Sequence, residues 1–101
     1  MILEKAILDV IPDKVEQFEE NFLVAQQIIS SMNGYRWHQL QKCIEKPSRY
    51  LLLVEWETLE DHTIGFRNSV EYQRWKELLH KFYDPFPTVE HYELVVSQNN
   101  R

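Results

Sequence analysis

The sequence predicts an α+β fold of the ferredoxin-like type, with the element order β-α-β-β-α-β in a single domain over residues 1–101. Two observations lead to this prediction. Strand-like segments and helical apolar stripes follow one another in that order, and 101 residues is close to the commonest size of a single domain. In this topology two helices pack on one face of a four-stranded antiparallel sheet.

The first half of the chain predicts a strand, a helix and a hairpin. Residues 2–11 are typical of a strand, and Pro12 suits the first turn of a helix. Apolar residues then recur at intervals of three and four, as one face of a helix requires: Val15, Phe18, Phe22, Ala25, Ile29 and Met32. Gly34 ends this helix. Two strands, 35–44 and 49–57, follow with a connection short enough for a hairpin.

The second half of the chain predicts two successive helical segments and a last strand. Thr58 with Asp61 resembles a capping box at the start of a helical segment over 59–67. Ser69 is placed to cap a second helical stretch. Its apolar stripe consists of Tyr72, Trp75, Leu79 and Phe82. The last predicted strand covers 88–97.

Composition excludes several classes of partner and cofactor. The 11 basic residues are scattered among 16 acidic ones and the net charge is −5, which disfavours nucleic acid and anionic membranes. The single cysteine, Cys43, permits neither an intrachain disulfide nor a CxxC site. Two glycines are too few for a dinucleotide or nucleotide loop. No apolar run is long enough to cross a membrane, and we expect a cytoplasmic protein.

The pattern of the strands predicts a homodimer. The segment 50–54 is apolar on both faces instead of alternating, which indicates burial on both sides. The first strand places Leu8 and Val10 on one face. Ile7 and Ile11 lie on its other face. Because the helices cover only one face of the sheet, we expect a second copy of the chain to cover the other.

Several motifs resemble the antibiotic biosynthesis monooxygenase family, and the similarity extends over nearly the whole chain. They are the strand end Val54-Glu55-Trp56, the helix start Leu59-Glu60-Asp61-His62, the run Ser69-Val70-Glu71-Tyr72, the loop Phe82-Tyr83-Asp84-Pro85-Phe86-Pro87 and the segment Glu90-His91-Tyr92. The resemblance implies a dimeric α+β barrel with a pocket between each sheet and its helices. It also implies a site that needs neither metal nor flavin.

The function that the resemblance implies is cofactor-independent monooxygenation of a small aromatic, phenolic or quinol-like substrate with O2. Such a substrate, once deprotonated, can itself pass an electron to O2, so the protein supplies an apolar pocket, a base and exclusion of water. A dimer that binds a small ligand without catalysis is the first alternative. A haem-binding or haem-degrading protein is the second, but Ala6 stands where the haem-degrading branch has an asparagine.

The candidate catalytic residue is His62, which matches the family's helix histidine and carries the side chain that titrates nearest neutral pH. The alternative for His62 is plain packing against the sheet. The candidate substrate-binding residues are Trp56, Phe66, Trp75 and Trp37. Trp56 matches the family's strand tryptophan, and the alternative is a core tryptophan whose N–H is satisfied.

No metal site is predicted, because the chain lacks HxxE and HxxxH spacings. His38 and His91 fall on the second and fourth strands, which form opposite edges of the sheet in this topology. We therefore expect each to be a hydrogen-bonded strand histidine, and a pair across the dimer is the alternative.

Overall fold

The computed structural model describes residues 1–100 and confirms the predicted ferredoxin-like α+β fold. Four strands and two α-helices form it: β1 (Ile2–Asp9), α1 (Val15–Ser30), β2 (Tyr35–Lys42), β3 (Arg49–Trp56), α2 (Val70–Leu79) and β4 (Val89–Tyr92). The sheet has the order β2-β3-β1-β4, and every neighbouring pair is antiparallel. No helix among these residues has the length and hydropathy needed to cross a membrane.

The connection from β3 to α2 contains the predicted caps and an unexpected geometry. Thr58 Oγ1 accepts the Asp61 N–H at 3.1 Å, and Asp61 Oδ2 accepts the Thr58 N–H at 3.2 Å. The segment predicted as helical over 59–67 is helical, but most of it is a π-helical turn, Asp61–Phe66. Ser69 Oγ accepts the Tyr72 N–H at 3.1 Å, so α2 begins where the sequence predicted.

Strand β4 is shorter than the predicted 88–97. It pairs with β1 from Val89, opposite Ala6, to Tyr92, opposite Leu3. Because β1 begins at Ile2, only that residue extends beyond Leu3, and residues 94–97 would have no partner on β1. The apolar side chains that made the prediction look plausible, Leu94, Val95 and Val96, are exposed.

The core lies between the helices and one face of the sheet, which we call the inner face. Alternate residues of β3 are buried there: Tyr50, Leu52, Val54 and Trp56. Helix α1 contributes Phe18, Phe22, Ala25 and Ile29, and α2 contributes Trp75 and Leu79. The apolar periodicities of the sequence therefore mark the buried sides of these elements correctly.

The opposite face of the sheet, here called the outer face, has no helix over it. It carries Leu3 and Ile7 of β1, Leu51 and Leu53 of β3, Trp37 of β2 and Tyr92 of β4. Ile7 and Tyr92 remain 41% and 44% exposed. Coverage of this face by a second copy stays a prediction.

Gly34 lies in the turn between α1 and β2, where a side chain is expected to destabilise the fold. Its φ is +82°, and a Cβ there would lie 2.1 Å from Asp61 Oδ2. We therefore expect Gly34→Ala to lower the free energy of unfolding by about 1–3 kcal/mol through backbone strain, with a further loss from displacing Asp61. Urea denaturation checks this. Gly65→Ala is the matched control, because its Cβ would meet only the Glu60 carbonyl oxygen at 3.7 Å. Equal stabilities of the two variants would contradict the account.

Candidate active site

A cavity of about 350 Å³ lies between the inner face of the sheet and α2. Its apolar walls come from the sheet and from the helical side: Ala6, Leu8, Leu52, Phe66, Trp75 and Val89. Phe66 and Trp75 meet edge to face, with ring centroids 5.6 Å apart. A cavity of this volume, with aromatic walls and several polar groups that converge on it, suits one small aromatic molecule.

A buried carboxyl and two imidazoles form a continuous polar cluster at one end of this cavity. His62 Nδ1 lies 2.8 Å from His91 Nε2, and His62 Nε2 lies 3.4 Å from Glu4 Oε1. Glu4 and His62 are 5% and 3% exposed. The sheet register brings two of them together, because His91 on β4 lies opposite Glu4 on β1. The π-helical turn adds His62.

Trp56 fixes the orientation of both members of this cluster that face the cavity. Its indole Nε1–H donates to Glu4 Oε1 at 2.9 Å. Its ring stacks on the His62 imidazole with centroids 5.3 Å apart and an interplanar angle of 13°. Trp56 itself is fully buried, so the cluster packs against a ring that the core holds in place.

Burial shifts the protonation of Glu4 and His62 toward their neutral forms. It raises the pKa of Glu4 to about 7, against the smaller lowering effects of the Trp56 hydrogen bond and the Arg67 charge. It lowers the pKa of His62 to about 3, and the charge of Arg67 and the neighbouring His91 act in the same direction. At neutral pH the 3.4 Å contact therefore joins a neutral imidazole to a carboxyl near its midpoint, and it is not a fixed ion pair.

Arg67 supplies the cavity with a positive charge. It follows the π-helical turn, where its backbone N–H donates to the His62 carbonyl at 3.2 Å. The ion pairs within residues 1–100 use other cations, and none involves Arg67. Since a guanidinium stays protonated, its charge is available to an anionic group bound in the cavity.

Further ring side chains, from α2 and the segment after it, line the same cavity. Tyr72, His80, Tyr83 and Phe86 line it. His80 contacts Phe86 with centroids 4.9 Å apart, and Phe86 is 61% exposed at the rim. Burial raises the pKa of Tyr72 and Tyr83 and lowers the pKa of His80. Both phenols are therefore protonated at neutral pH and can donate a hydrogen bond to a ligand.

The structure brings three of the residues proposed from the sequence to this cavity. His62, Phe66 and Trp75 line it. Trp56 does not line it, because the tryptophan lies behind His62 in the core. Trp37 lies on the outer face opposite Glu55, on the other side of the sheet from the cavity.

The two strand histidines, His38 and His91, have different hydrogen-bond partners. His38 hydrogen-bonds Tyr35 and Gln26 through its two ring nitrogens, as expected of a satisfied strand histidine. His91 is also hydrogen-bonded, but its partner is His62. The two strands do lie at opposite edges of the sheet.

Sequence reasoning missed Glu4 and Arg67. A signal for Glu4 was present, because it shares a strand face with Ala6, Leu8 and Val10, all of which are buried. A carboxyl in such a period-two apolar row is expensive to bury and therefore indicates a site. For Arg67 no comparable signal exists, since its lack of an acidic partner appears only in three dimensions.

The polar cluster does not have the geometry of a metal site. Glu4 and His91 contact different ring nitrogens of His62, so the three side chains do not converge on one point. Among residues 1–100 no three His, Cys, Asp or Glu side chains are arranged to hold a metal ion. Absence of a metal in the protein stays a prediction.

Comparison with known proteins places this chain in a family. The sequence model of the antibiotic biosynthesis monooxygenases matches residues 1–78. The uncharacterised protein YczJ of Bacillus subtilis (strain 168) is 58% identical over 93 residues, which cover 92% of this chain and 98% of YczJ.

Solved structures agree with the sequence comparison. A protein from Bordetella bronchiseptica, assigned by name to the antibiotic biosynthesis monooxygenases, is 33% identical with a TM-score of 0.89, and the match covers 94% of this chain and 97% of that protein. A similarly named protein from Nitrosomonas europaea shares the fold, with a TM-score of 0.82 at 17% identity over 95% of this chain and all of that protein. The chain belongs to the antibiotic biosynthesis monooxygenase family.

Proposed function

We propose that this protein is a cofactor-independent monooxygenase that oxidises a small phenol or hydroquinone with O2 in the cavity between the sheet and α2. The observation that carries the proposal is the buried pair Glu4 and His62, which lies at the end of an aromatic cavity beside the unpaired Arg67. A cavity of plain core residues would have no reason to hold a carboxyl, an imidazole and a guanidinium.

The first step is removal of the phenolic proton. Glu4 has a pKa of about 7, so its carboxylate is populated at neutral pH and is basic enough to accept a proton. His62 is the acid–base residue next to it, and Arg67 stabilises the phenolate that forms. The aromatic walls hold the ring and exclude water, which strengthens these interactions.

The second step uses the substrate as the reductant of O2. The phenolate passes one electron to O2, which gives an aryloxyl radical and superoxide. The two recombine in a C–O bond, and protonation gives a hydroperoxide on a ring carbon that still carries its hydrogen. Loss of that hydrogen with the outer oxygen as water leaves a carbonyl. One phenol and one O2 thus give one quinone and one water, so no further reductant is needed.

The test is oxygen consumption with a panel of hydroquinones and polyphenols, measured beside binding of the same compounds. We expect saturable consumption of O2 by the protein purified without metal or flavin. Binding of the panel without any consumption would contradict catalysis and favour the non-catalytic ligand-binding dimer. A Soret band on titration with haemin, at the expense of phenol binding, would favour the haem alternative.

Arg67→Gln is expected to weaken binding of the anionic ligand selectively. Loss of a charge-assisted contact costs about 1.5–3 kcal/mol, which corresponds to roughly a 10- to 100-fold increase in Kd. Isothermal titration with a nitrophenolate and with a neutral nitroarene of the same shape measures the difference. Arg74→Gln is the matched control, because Arg74 lies on α2, is exposed and does not line the cavity. Equal losses for both ligands would contradict the role of the charge.

A further inference from the structure

We propose that Glu4, His62 and His91 form a proton relay that connects the cavity with solvent. Its use in turnover rests on the proposed function, but the relay itself does not. Glu4 lies at the cavity end, His62 is buried in the middle, and His91 is half-buried on the edge strand β4. The cavity carboxyl thus has a path to solvent through two imidazoles.

The contacts give each ring nitrogen along this path a defined partner. His62 uses Nδ1 toward His91 and Nε2 toward Glu4, at 2.8 Å and 3.4 Å. The shorter distance is that of a hydrogen bond, while the longer one lies just outside the usual 2.7–3.2 Å range and needs a small side-chain rotation to close. Glu4 Oε1 makes the contacts with His62 and Trp56. Its other oxygen, Oε2, remains for the ligand.

The tautomers of the two histidines are coupled by this arrangement. With Glu4 ionised, His62 Nε2–H donates to the carboxylate, and His62 Nδ1 accepts from His91 Nε2–H. With Glu4 protonated, its O–H donates to His62 Nε2, and His62 Nδ1–H donates to His91 Nε2. One added proton enters at His91 Nδ1, and each hydrogen in the row moves to the next acceptor. Protonation of Glu4 therefore inverts both imidazole tautomers.

The groups around the relay allow a proton to move through it in either direction. Arg67 beside the cluster, Tyr72 on α2 and Tyr83 after α2 are the charged or titratable groups that face Glu4 and His62. None of them bears a negative charge at neutral pH, so none would stabilise a protonated His62 or His91 and stop the transfer there. A fixed acceptor in place of Glu4 would hold one tautomer permanently.

In the proposed reaction the relay returns Glu4 to its ionised form after it has accepted a proton. The proton taken from a phenol leaves along Glu4, His62 and His91 and reaches solvent without passing the bound ring. The same row can return a proton to a peroxide oxygen in the second step. A buried carboxyl without such a connection would remain protonated after accepting the first proton.

The experiment is a histidine-detected pH titration of the ¹⁵N-labelled protein, from about pH 5 to about pH 9, around the Glu4 pKa of about 7. Long-range ¹H–¹⁵N correlation assigns each tautomer, and ¹³C detection follows the Glu4 carboxyl. We expect His62 and His91 to invert together at the midpoint of Glu4. His38 is the internal reference, because Tyr35 and Gln26 bind its ring nitrogens. One unchanging His62 tautomer while Glu4 titrates would overturn the relay.

A variant tests the solvent end separately. His91→Gln keeps a polar partner for His62 Nδ1 but cannot pass a proton, so exchange of the His62 ring proton with water should slow by about 10²-fold or more, the lower end of what a positioned acid–base group contributes. Glu90→Gln, its exposed neighbour on the outer face, is the matched control. Unchanged exchange in His91→Gln would overturn the assignment of His91. Absence of oxygen consumption would refute the proposed function and leave both relay results standing.

Discussion

His62→Ala is expected to lower turnover of a verified phenolic substrate by about 10²- to 10⁴-fold, the usual contribution of a positioned acid–base group. The physical reason is twofold. The variant removes the imidazole that contacts Glu4 at 3.4 Å, and it breaks the row that leads to His91. Steady-state oxygen consumption measures the loss, and sedimentation with circular dichroism shows whether the fold and assembly persist.

A second histidine gives the control for this variant. His38→Gln changes an imidazole that lies on β2, at the opposite edge of the sheet from His91. Its ring contacts Tyr35 and Gln26 and does not line the cavity. We expect its turnover to match that of the unaltered protein. Unchanged turnover in a folded His62→Ala protein would refute the acid–base role of His62.

Leu53→Glu is expected to abolish the homodimer that we propose to form through the outer face of the sheet. Leu53 lies on β3 between Lys5 of β1 and Gln39 of β2, near the middle of this face. Desolvation of a carboxylate buried there would exceed the attraction of the neighbouring Lys5 ammonium, at a net cost of about 3 kcal/mol or more, which raises the dissociation constant by at least about 100-fold. Sedimentation velocity at micromolar concentration is the measurement.

The proposed dimer has its own control and its own contradiction. Leu23 is 64% exposed on α1, away from the outer face, so Leu23→Glu should leave the assembly intact. A monomeric unaltered protein at micromolar concentration would contradict the dimer outright. It would also leave Ile7, Trp37 and Tyr92 together in water, an apolar patch that monomeric proteins rarely expose.

The fold could be predicted because local patterns carry it. The period of two in β3 and the intervals of three and four in α1 match the buried sides of both elements. The end of β4 could not be predicted, since 93–97 is as strand-like as Val89–Tyr92 and differs only in lacking a partner on β1. The π-helical turn also has no local signal, because its caps are those of an ordinary helix.

The candidate site was predictable only in part, for a related reason. His62 was found because a family motif marks it. Its connection to His91 depends on the register of β4 against β1, a pairing between residues far apart in the chain. The shifted pKa of Glu4 is likewise a product of burial, which no property of the isolated residue gives.

Isotope labelling tests whether the cavity oxidises its ligand with O2 and no added cofactor. The protein, purified free of metal and flavin, is incubated with ¹⁸O2 and a hydroquinone or phenol that binds in the cavity, and the product is analysed by mass spectrometry. We expect one ¹⁸O atom per product molecule, the second ¹⁸O atom in water, and loss of the labelled product in His62→Ala. Binding of the ligand with no ¹⁸O in any product, across the whole panel of phenols, would contradict it.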